Sequence, residues 1–227
     1  MDINRKVTVV LTSCNRLDLL DRTIESFHKF NTYPIDEFII IEDSTDAKAI
    51  QHLKEKYSDY TLIINEENIG NFKSIDKAYS QVKTPYIFHL EDDWEFVKEG
   101  FIEDSFKLLD FDPKIIKVWI RALTDTQGHP YSKKRYETQG IGYHIMDTDY
   151  YGYTGYSTNP GLIRLADHNS IGGIGQFGPE AETRAGELFL NRGMYAVILD
   201  QKYIQHTGWN NSAKKHPRPR KQNKTVI

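Results

Sequence analysis

The sequence predicts an α/β protein whose single domain holds a Rossmann-like, mostly parallel sheet flanked by helices. Two observations support this fold class. Apolar runs typical of strands alternate three times with helical patterns over roughly the first ninety residues, and no other part of the chain is large enough to bury a second core. A chain of 227 residues suffices for one well-buried domain of this kind, with or without a small appendage.

The first half of the chain carries the regular pattern. Its apolar, largely β-branched or aromatic runs predict strands at 7–12, 37–41, 60–64 and 86–90. Apolar spacings of three and four residues predict a helix after each of the first three strands. Ser44 or Thr45 can cap the second helix, and Pro85 breaks the third, which runs to Lys83.

The second half is less regular. Helices are predicted around 102–109 and from 178 onward, and strands at 115–122, 161–165 and 195–199. Residues 124–161, between the predicted strands at 115–122 and 161–165, are predicted to form a long loop. A loop of this length in a compact domain is usually functional or mobile. Its tyrosines could stack on a sugar ring or line a surface hairpin: Tyr150, Tyr151, Tyr153 and Tyr156. We expect a domain at 1–213, with halves at 7–96 and 97–213, followed by a basic, flexible tail at 214–227.

Charge and cysteine content argue against several classes of protein. The net charge of −3 implies no nucleic-acid-binding surface. The single cysteine, Cys14, allows neither an internal disulfide nor a multi-cysteine zinc site. No apolar run has the length of a membrane span, and no secretory leader is recognisable before the first strand, so we expect a cytoplasmic protein.

An acidic cluster, Glu91-Asp92-Asp93, directly follows the fourth predicted strand and precedes Trp94. Open α/β sheets bind their ligands at the carboxyl edge of the strands, so the cluster stands where a ligand would bind. Three adjacent carboxylates repel one another and favour a cation, and hard oxygen ligands suit Mg²⁺ or Mn²⁺. The alternative is a solvated turn that caps the next helix.

Polar side chains also follow the first two strands. Thr12, Asn15 and Arg16 end the first, and Glu42 and Asp43 end the second. A strand-end acid such as Asp43 is most often a cap or turn residue. Three polar strand ends that share one sheet edge nevertheless indicate a binding crevice.

The run 173–178 matches the dinucleotide-binding fingerprint literally. We reject that interpretation because residues 165–170 do not have the pattern of a strand, which the fingerprint requires. The first strand-to-helix turn, 13–16, also lacks glycine. We interpret the run as a glycine-rich loop that brings an acidic helix to a substrate.

Four segments occur in a characteristic order: 9–16, the strand that ends in Glu42-Asp43-Ser44, the Asn68-Ile69-Gly70 loop, and Leu90-Glu91-Asp92-Asp93. Together they resemble the nucleotide-sugar half of a GT-A fold glycosyltransferase, most similar to glycosyltransferase family 2. The resemblance covers roughly residues 7–96 and is weak in the rest of the chain. It implies a metal-dependent enzyme that moves a sugar from a nucleoside-diphosphate sugar to a hydroxyl acceptor. A UDP-sugar is the commonest donor in that family, and inversion is its commoner outcome.

The resemblance also implies roles for the residues of the first half. The base and ribose of the donor nucleotide would be held by Thr12, Asn15, Arg16 and Asp43. In the Asp-x-Asp motif of the family, the last acid, here Asp93, holds the divalent metal, and the first, here Glu91, faces the ribose. Glu91 departs from the family pattern by one methylene, and Asp92 is grouped with the donor-binding residues.

The resemblance implies further roles for two lysines, for a carboxylate that would act as general base, and for a histidine. Lys73 and Lys77, on the helix after Gly70, are candidates for contact with the diphosphate, with solvated lysines as the alternative. The general base would be a carboxylate at the start of a late helix, with Glu182 preferred over Glu180, although acids are favoured in any first helical turn. A late histidine is a metal ligand in some GT-A enzymes, which makes His206 a candidate and a structural histidine the alternative.

The resemblance places the reaction in glycan or surface polysaccharide synthesis, and the competing interpretations belong to other classes. A catalytically silent GT-A-like module would bind a nucleotide sugar or glycan but lack a working base. A sugar nucleotidyltransferase would need a glycine-rich first turn, which 13–16 lacks, and a glycoside hydrolase would not need a nucleotide-binding half. The basic tail could touch an anionic membrane surface, close over the diphosphate, or be disordered.

Overall fold

A computed structural model describes residues 5–148 and 155–208. The strands in these ranges are β1 (Val7–Ser13), β2 (Glu37–Glu42), β3 (Thr61–Ile64), β4 (Tyr86–Glu91), β5 (Trp94–Phe96), β6 (Ile115–Trp119), β7 (Tyr131–Thr138), β8 (Ile141–Met146), β9 (Gly161–Arg164), β10 (Tyr195–Leu199) and β11 (Ile204–His206). The α-helices in the same ranges are α1 (Leu17–Phe30), α2 (Ala47–Lys56), α3 (Asn71–Tyr79), α4 (Phe101–Phe111), α5 (Leu165–Ser170) and α6 (Ala181–Leu190).

The main sheet has the strand order β3-β2-β1-β4-β9. Its first four strands are parallel, and β9 is antiparallel to β4. β1 is buried along its whole length because alternate residues face two apolar layers: Val9 packs in a cluster with Phe27 of α1, and Val10 in another with Ile75 of α3. Burial on both faces explains why such strands are continuous apolar runs in sequence. The predicted mostly parallel sheet with flanking helices is confirmed.

The strand register brings the polar strand ends together. Thr12 of β1 lies opposite Glu91 of β4, and Ser13 lies opposite Glu42 of β2. Because these three strands are parallel, their carboxyl ends meet at one edge of the sheet. The crevice expected from three polar strand ends is therefore present.

The stretch 124–161 is not one long loop, which corrects the sequence-based prediction. It contains the hairpin of β7 and β8, which joins β10 and β6 in a second sheet of order β6-β10-β8-β7. The hairpin turns at Gln139 and Gly140, whose φ angles of 50° and 76° suit a two-residue turn. β7 is a charged edge strand with mostly exposed or half-exposed residues, so it lacks the apolar alternation that would have revealed it.

Three element boundaries differ from the prediction. The cap of α2 is Asp46, whose carboxylate accepts two backbone N–H groups of the first turn, both at 2.9 Å. α3 ends at Tyr79 and not at Lys83, because tight turns follow it. β6 ends at Trp119 and not at residue 122.

The start of α6 also differs from the prediction. A 3-10 segment, Gly175–Glu180, precedes it and contains Pro179, and Gly178 interrupts the helical path with a φ of 56°. The helix itself begins at Ala181. Glu180 is therefore the residue before the helix, and Glu182 lies in its first turn.

Some predictions fall outside the described residues, namely the tail at 214–227 and Tyr150, Tyr151 and Tyr153. Tyr156 is described, and it is buried against Phe189 with ring centroids 5.3 Å apart, so it neither lines a surface hairpin nor is open to a sugar. Over residues 5–148 and 155–208, no helix is both long and apolar enough to cross a membrane. The division into 1–213 and a tail stays a prediction.

Candidate active site

Glu42 at the end of β2 fixes the conformation of the turn between β1 and α1. Glu42, fully buried at the end of β2, accepts hydrogen bonds through Oε1 from the backbone N–H groups of Asn15 and Ser44, both at 2.9 Å. Asn15 has a φ of 53°, a left-handed conformation that asparagine adopts more readily than most residues. Its side chain is exposed at the sheet edge, and Thr12 is buried just before it. The turn directs the next residue, Arg16, toward the acidic cluster.

Arg16 contacts two carboxylates of that cluster. Its Nε lies 3.1 Å from Oδ2 of Asp92, its Nη2 binds Oδ1 of the same side chain, and its Nη1 lies 2.6 Å from Oδ2 of Asp93. The two-point contact with Asp92 uses the fork geometry of a planar guanidinium. Burial raises the pKa of the Asp92 carboxyl to about 7, and the charge of Arg16 opposes that rise. The nucleotide-binding roles predicted for Arg16 and Asp92 stay predictions.

The short strand β11 brings His206 to Asp93. β11 pairs with β5 so that His206 lies opposite Trp94, and its Nε2 is 3.4 Å from Oδ2 of Asp93. The backbone N–H of Thr207 donates to the carbonyl oxygen of Asp93 at 2.8 Å. Gly208 lies so close that any Cβ there would clash with the Asp93 carboxylate. A glycine at this position therefore makes room for the carboxylate.

Asp93 and His206 fit a divalent metal by the chemistry of their donor atoms. Burial alone would raise the pKa of Asp93, but the hydrogen bond with His206 and the charge of Arg16 hold it below its ordinary value. An ionised carboxylate and an imidazole nitrogen are a donor pair that suits Mn²⁺. The residues that the structure describes include no group of three His, Cys, Asp or Glu side chains arranged to hold a metal. A metal at Asp93 would need phosphate oxygens and water to complete its coordination.

Glu91 ends β4 and is half-buried, whereas Asp92 and Asp93 are buried. It accepts a hydrogen bond from Nε1 of Trp94 at 3.2 Å. Burial raises its pKa to about 8, and the negative charge of Asp93 adds to the rise. The charge of Glu182 of α6 also raises the pKa of Glu91.

Asp43 anchors the start of α3. Its buried carboxylate accepts hydrogen bonds from the backbone N–H groups of Ile69 at 2.9 Å and Gly70 at 2.8 Å, and from Nδ2 of Asn65 at 2.8 Å. Gly70 has a φ of 87°, which glycine adopts easily, and it directly precedes α3. Asp43 thus positions this helix at the sheet edge, and its predicted contact with the nucleotide stays a prediction.

The two candidate lysines occupy exposed positions on α3. Lys77 donates to Oδ1 of Asn65 at 2.7 Å and lines a polar cavity of about 470 Å³ at the end of β3. The backbone of Lys73 lies against Gly175, because a Cβ on that glycine would be 3.1 Å from the Lys73 Cα. Neither lysine contacts the acidic cluster in the structure, and their role at the diphosphate stays a prediction.

The two candidate bases have different surroundings. Oε1 of Glu182 accepts hydrogen bonds from the backbone N–H of Thr158 at 2.7 Å, from its Oγ1 at 2.9 Å and from Oγ of Ser157 at 3.3 Å. Glu180 is exposed, and its Oε2 lies 3.1 Å from Nε of Arg184, one turn along α6. Glu182 is therefore held in one orientation beside the site, whereas Glu180 belongs to a surface ion pair.

Asp76 of α3 is a residue that the sequence analysis missed. It accepts hydrogen bonds from the backbone N–H groups of Ile174 at 2.9 Å and Gly175 at 2.7 Å, and it pairs with Nε2 of His168 at 3.1 Å. The glycine-rich run does bind an anion through its backbone, but that anion is a carboxylate of the same chain. A Cβ on Gly173 would meet this carboxylate at 2.6 Å, which explains the glycine.

Two buried cations were also missed, Lys117 in β6 and Arg121 just after it, each 1% exposed. The guanidinium of Arg121 lies 4.8 Å from the ring centroid of Trp94 and 2.8 Å from Asp125. Burial lowers the pKa of Lys117 to about 7, and the charges of Glu91 and Glu182 oppose that change. The signal in the sequence was a charged residue within an apolar strand, since buried charges are rarely without partners.

The family model described as "Glycosyl transferase family 2" matches residues 8–171, well over half of the chain. The chain belongs to glycosyl transferase family 2. The resemblance stated for 7–96 is thereby confirmed, and the match to the family extends through the hairpin and β9 to the end of α5. No curated protein matches the sequence.

Solved structures of glycosyltransferases share the GT-A fold of this family 2 chain. S. aureus TarS, residues 1–349, has a TM-score of 0.61 at 18% identity, with 89% of this chain and 60% of that chain covered. GalNAc-T7 with UDP, GalNAc and Mn²⁺ has a TM-score of 0.63 at 13% identity, with 88% and 43% covered. The mannosyltransferase PcManGT from Pyrobaculum calidifontis, with GDP-Man and Mn²⁺, has a TM-score of 0.59 at 14% identity, with 87% and 57% covered. The chain thus spans about half the length of these proteins, and at such identities the likeness shows the fold.

Proposed function

We propose that this family 2 chain is a metal-dependent glycosyltransferase that moves a sugar from a nucleoside-diphosphate sugar to a hydroxyl acceptor with inversion. One observation carries the proposal: Asp93, whose Oδ2 lies 3.4 Å from Nε2 of His206, and the hydrogen-bonded carboxylate of Glu182 both act electrostatically on Glu91 at the end of β4. A departing diphosphate needs a cation, and an attacking hydroxyl needs a proton acceptor. The site offers residues for both.

Asp93 and His206 would hold Mn²⁺ or Mg²⁺ together with the donor. When bound, the metal supplies Lewis-acid stabilisation of the departing diphosphate. The donor itself would lie along the strand ends and α3, against Thr12, Asn15, Arg16, Asp43, Lys73, Lys77, Glu91 and Asp92. Arg16 can exchange its contact with Asp93 for a phosphate oxygen, because a guanidinium binds carboxylates and phosphates with the same fork.

Glu182 would accept the proton of the acceptor hydroxyl as that oxygen attacks the anomeric carbon. The bond from the anomeric carbon to the diphosphate oxygen breaks on the opposite face, so the configuration inverts. Thr158 and Ser157 hydrogen-bond to Oε1, and among the described residues no hydrogen bond reaches Oε2. The second oxygen is therefore the one that would take the proton. Glu180, exposed beside Arg184, is the weaker candidate.

The finer identity of the substrates rests on the similar structures. TarS has been solved with UDP, GalNAc-T7 with UDP and PcManGT with GDP-Man. We propose a UDP-hexose as the donor and a glycan as the acceptor, in polysaccharide synthesis in the cytoplasm, with peripheral membrane contact through the basic tail. The family match and the transferase neighbours do not favour a catalytically silent binding module.

Thermal unfolding with nucleotides tests the donor site. UDP, GDP, dTDP, ADP and CDP are each added with and without Mn²⁺, and a ligand at 100 times its Kd should stabilise the native state by about 2.7 kcal/mol. We expect the largest rise in Tm for UDP with Mn²⁺, and we expect Asp93→Asn to lose the metal-dependent part. Asp59→Asn, which changes an exposed acid far along the sequence, is the control. The proposal fails if no nucleotide raises the Tm.

Transfer assays test the base. Glu182→Gln should lower kcat by about 10²- to 10⁴-fold, because it removes a positioned proton acceptor. The same variant should keep the Tm rise with UDP and Mn²⁺. Glu180→Gln, at the exposed acid directly before α6, is the matched control and should stay within about twofold of the unmodified protein. Full activity of Glu182→Gln would assign the base to another residue.

A further inference from the structure

We propose that Trp94 is a positioning residue of the donor site, whose indole holds the carboxylate of Glu91 in the orientation that receives the ribose of the nucleotide. The inference rests on the nucleotide-sugar site proposed above, in which Glu91 faces the ribose. Trp94 is fully buried and would touch neither the donor nor the acceptor. It would act through Glu91 and His206, both of which its ring contacts.

The indole contacts Glu91 through its one polar atom. Nε1 of Trp94 donates a hydrogen bond to Oε2 of Glu91 at 3.2 Å, and among the described residues no other hydrogen bond reaches this carboxylate. Because an indole nitrogen can only donate, the bond occupies one carboxylate oxygen and leaves Oε1 to accept from a ligand hydroxyl. Glu91 is half-buried at the carboxyl end of β4, the edge where such sheets bind their ligands.

The position of the indole is fixed by contacts that do not involve Glu91. The backbone N–H of Trp94 donates to Oγ1 of Thr23 at 3.1 Å, which holds the start of β5 against α1. The guanidinium of Arg121, which is 1% exposed, lies over the ring at 4.8 Å from its centroid, and a cation at this distance is attracted to the ring face. The direction of the Nε1–H bond is therefore set by the protein alone, before any donor binds.

The same ring contacts the candidate metal ligand His206. β5 and β11 pair so that His206 lies opposite Trp94, and the two rings meet edge to face, with centroids 4.9 Å apart and an interplanar angle of 84°. Aromatic pairs favour this arrangement. Trp94 therefore joins the acid proposed for the ribose to the histidine proposed for the metal. A purely apolar side chain could fill the core at this position, but it could not orient Glu91.

The binding of two nucleotides tests the proposal. UDP and 2′,3′-dideoxy-UDP, which lacks both ribose hydroxyls, are titrated into the protein with Mn²⁺ and followed by calorimetry. Trp94→Phe keeps an aromatic ring and removes the N–H donor. It should weaken UDP binding by about tenfold and dideoxy-UDP binding by less than about twofold, because only a ribose hydroxyl needs the oriented carboxylate. A purely structural loss would weaken the binding of both nucleotides equally.

Two further variants separate the contact with Glu91 from general packing. Trp119→Phe is the matched control, because Trp119 is also buried and its Nε1 donates to a backbone group, the carbonyl oxygen of Gly155, at 3.0 Å. It should change the affinity for neither nucleotide. Glu91→Ala completes a double-mutant cycle with Trp94→Phe. If Trp94 acts through Glu91, Trp94→Phe should cause little further loss of UDP affinity in the Glu91→Ala background.

A second readout does not need a Trp94 variant that folds. The indole N–H resonances of the unmodified chain are recorded by NMR with Mg²⁺, and the resonance of Trp94 is the one that Glu91→Ala displaces most. Saturating UDP should shift this resonance more than saturating dideoxy-UDP does. Equal shifts, or equal weakening of both nucleotides in Trp94→Phe, would overturn the inference and leave the donor site intact. If the unmodified chain binds neither nucleotide, the proposed function is refuted and the inference with it.

Discussion

At the scale of single residues, Arg16 determines the state of the acidic cluster. It lies 20% exposed over the fully buried side chain of Asp92 and also contacts Asp93. A divalent cation at Asp93 would compete with this guanidinium for the same carboxylate oxygen. The residue that balances the acids in the protein alone therefore opposes metal binding until the donor phosphates offer it another partner.

Replacing Arg16 tests this competition. Arg16→Gln should tighten the binding of Mn²⁺ in the absence of nucleotide, because Asp93 loses its competing cation. The same change should lower the stability of the metal-free protein by about 3 kcal/mol, because Asp92 becomes a buried carboxylate without its partner. Calorimetric titration and chemical denaturation measure the two effects.

A matched control for Arg16 lies on α1, the helix that begins directly after it. Arg22 has a side chain that is 59% exposed and stands 3.8 Å from Glu95, so Arg22→Gln should change neither quantity measurably. Unaltered Mn²⁺ affinity in Arg16→Gln would show that the metal does not use the carboxylate that Arg16 contacts.

At the scale of elements, α3 and the glycine-rich loop act as one unit because Asp76 joins them. Two backbone N–H groups and His168 converge on its carboxylate, so the loop that leads into α6 is held to α3, the helix whose start Asp43 positions. The proposed donor site and the proposed general base both depend on this contact, because α3 borders the donor side and α6 carries Glu182. Burial alone would raise the pKa of Asp76, but the hydrogen bonds from His168, Ile174 and Gly175 hold it below the ordinary value of 3.8.

The variant Asp76→Asn tests the contact between the Asp76 carboxylate and the glycine-rich loop, and the pH dependence of that contact. At pH 7 it should be less stable by about 1–3 kcal/mol, because the backbone donors lose an ionised acceptor. The carboxylate has a lowered pKa in the folded state, so its stabilisation is complete well above pH 3.8 and is lost as the pH falls below that value. Denaturation midpoints of the two proteins should therefore converge toward low pH. A constant difference across the whole range would contradict the assignment, and Asp59→Asn serves as the control.

At the scale of the whole molecule, one apolar core spans both sheets. A single buried cluster contains Val9 and Leu90 of the main sheet together with Val118 and Val197 of the second. Arg164 of β9 also links the two sheets by hydrogen bonds. Its guanidinium donates to the carbonyl oxygens of Leu109 at 2.6 Å and of Ile115, in β6, at 2.9 Å. The halves 7–96 and 97–213 therefore share their interior rather than fold around separate cores.

We expect a single cooperative unfolding transition as a result. Far-ultraviolet circular dichroism and the fluorescence of the buried Trp94 and Trp119 should follow the same denaturation curve. Different midpoints for the two probes would show that the halves unfold independently.

The main sheet and its edge were predictable because their signals are local. Strands buried on both faces are continuous apolar runs, and acids such as Asp43 and Asp93 stand directly after them in sequence. The hairpin of β7 and β8 was not predictable in the same way, since a charged edge strand has no apolar alternation. The glycine-rich run was interpreted as a loop that leads to an acidic helix, and its backbone contact with the Asp76 carboxylate was not predicted, because Asp76 lies about 100 positions earlier in the chain.

The sequence by itself determined the α/β class, the polar edge at the ends of β1, β2 and β4, and the resemblance to family 2. Only the tertiary structure decided which side chains meet there: Arg16 on Asp92 and Asp93, and His206 on Asp93. The physical reason is the range of the interactions. Strand and helix patterns depend on neighbours a few residues apart, whereas each of these charge contacts joins residues that are at least 76 positions apart in the chain.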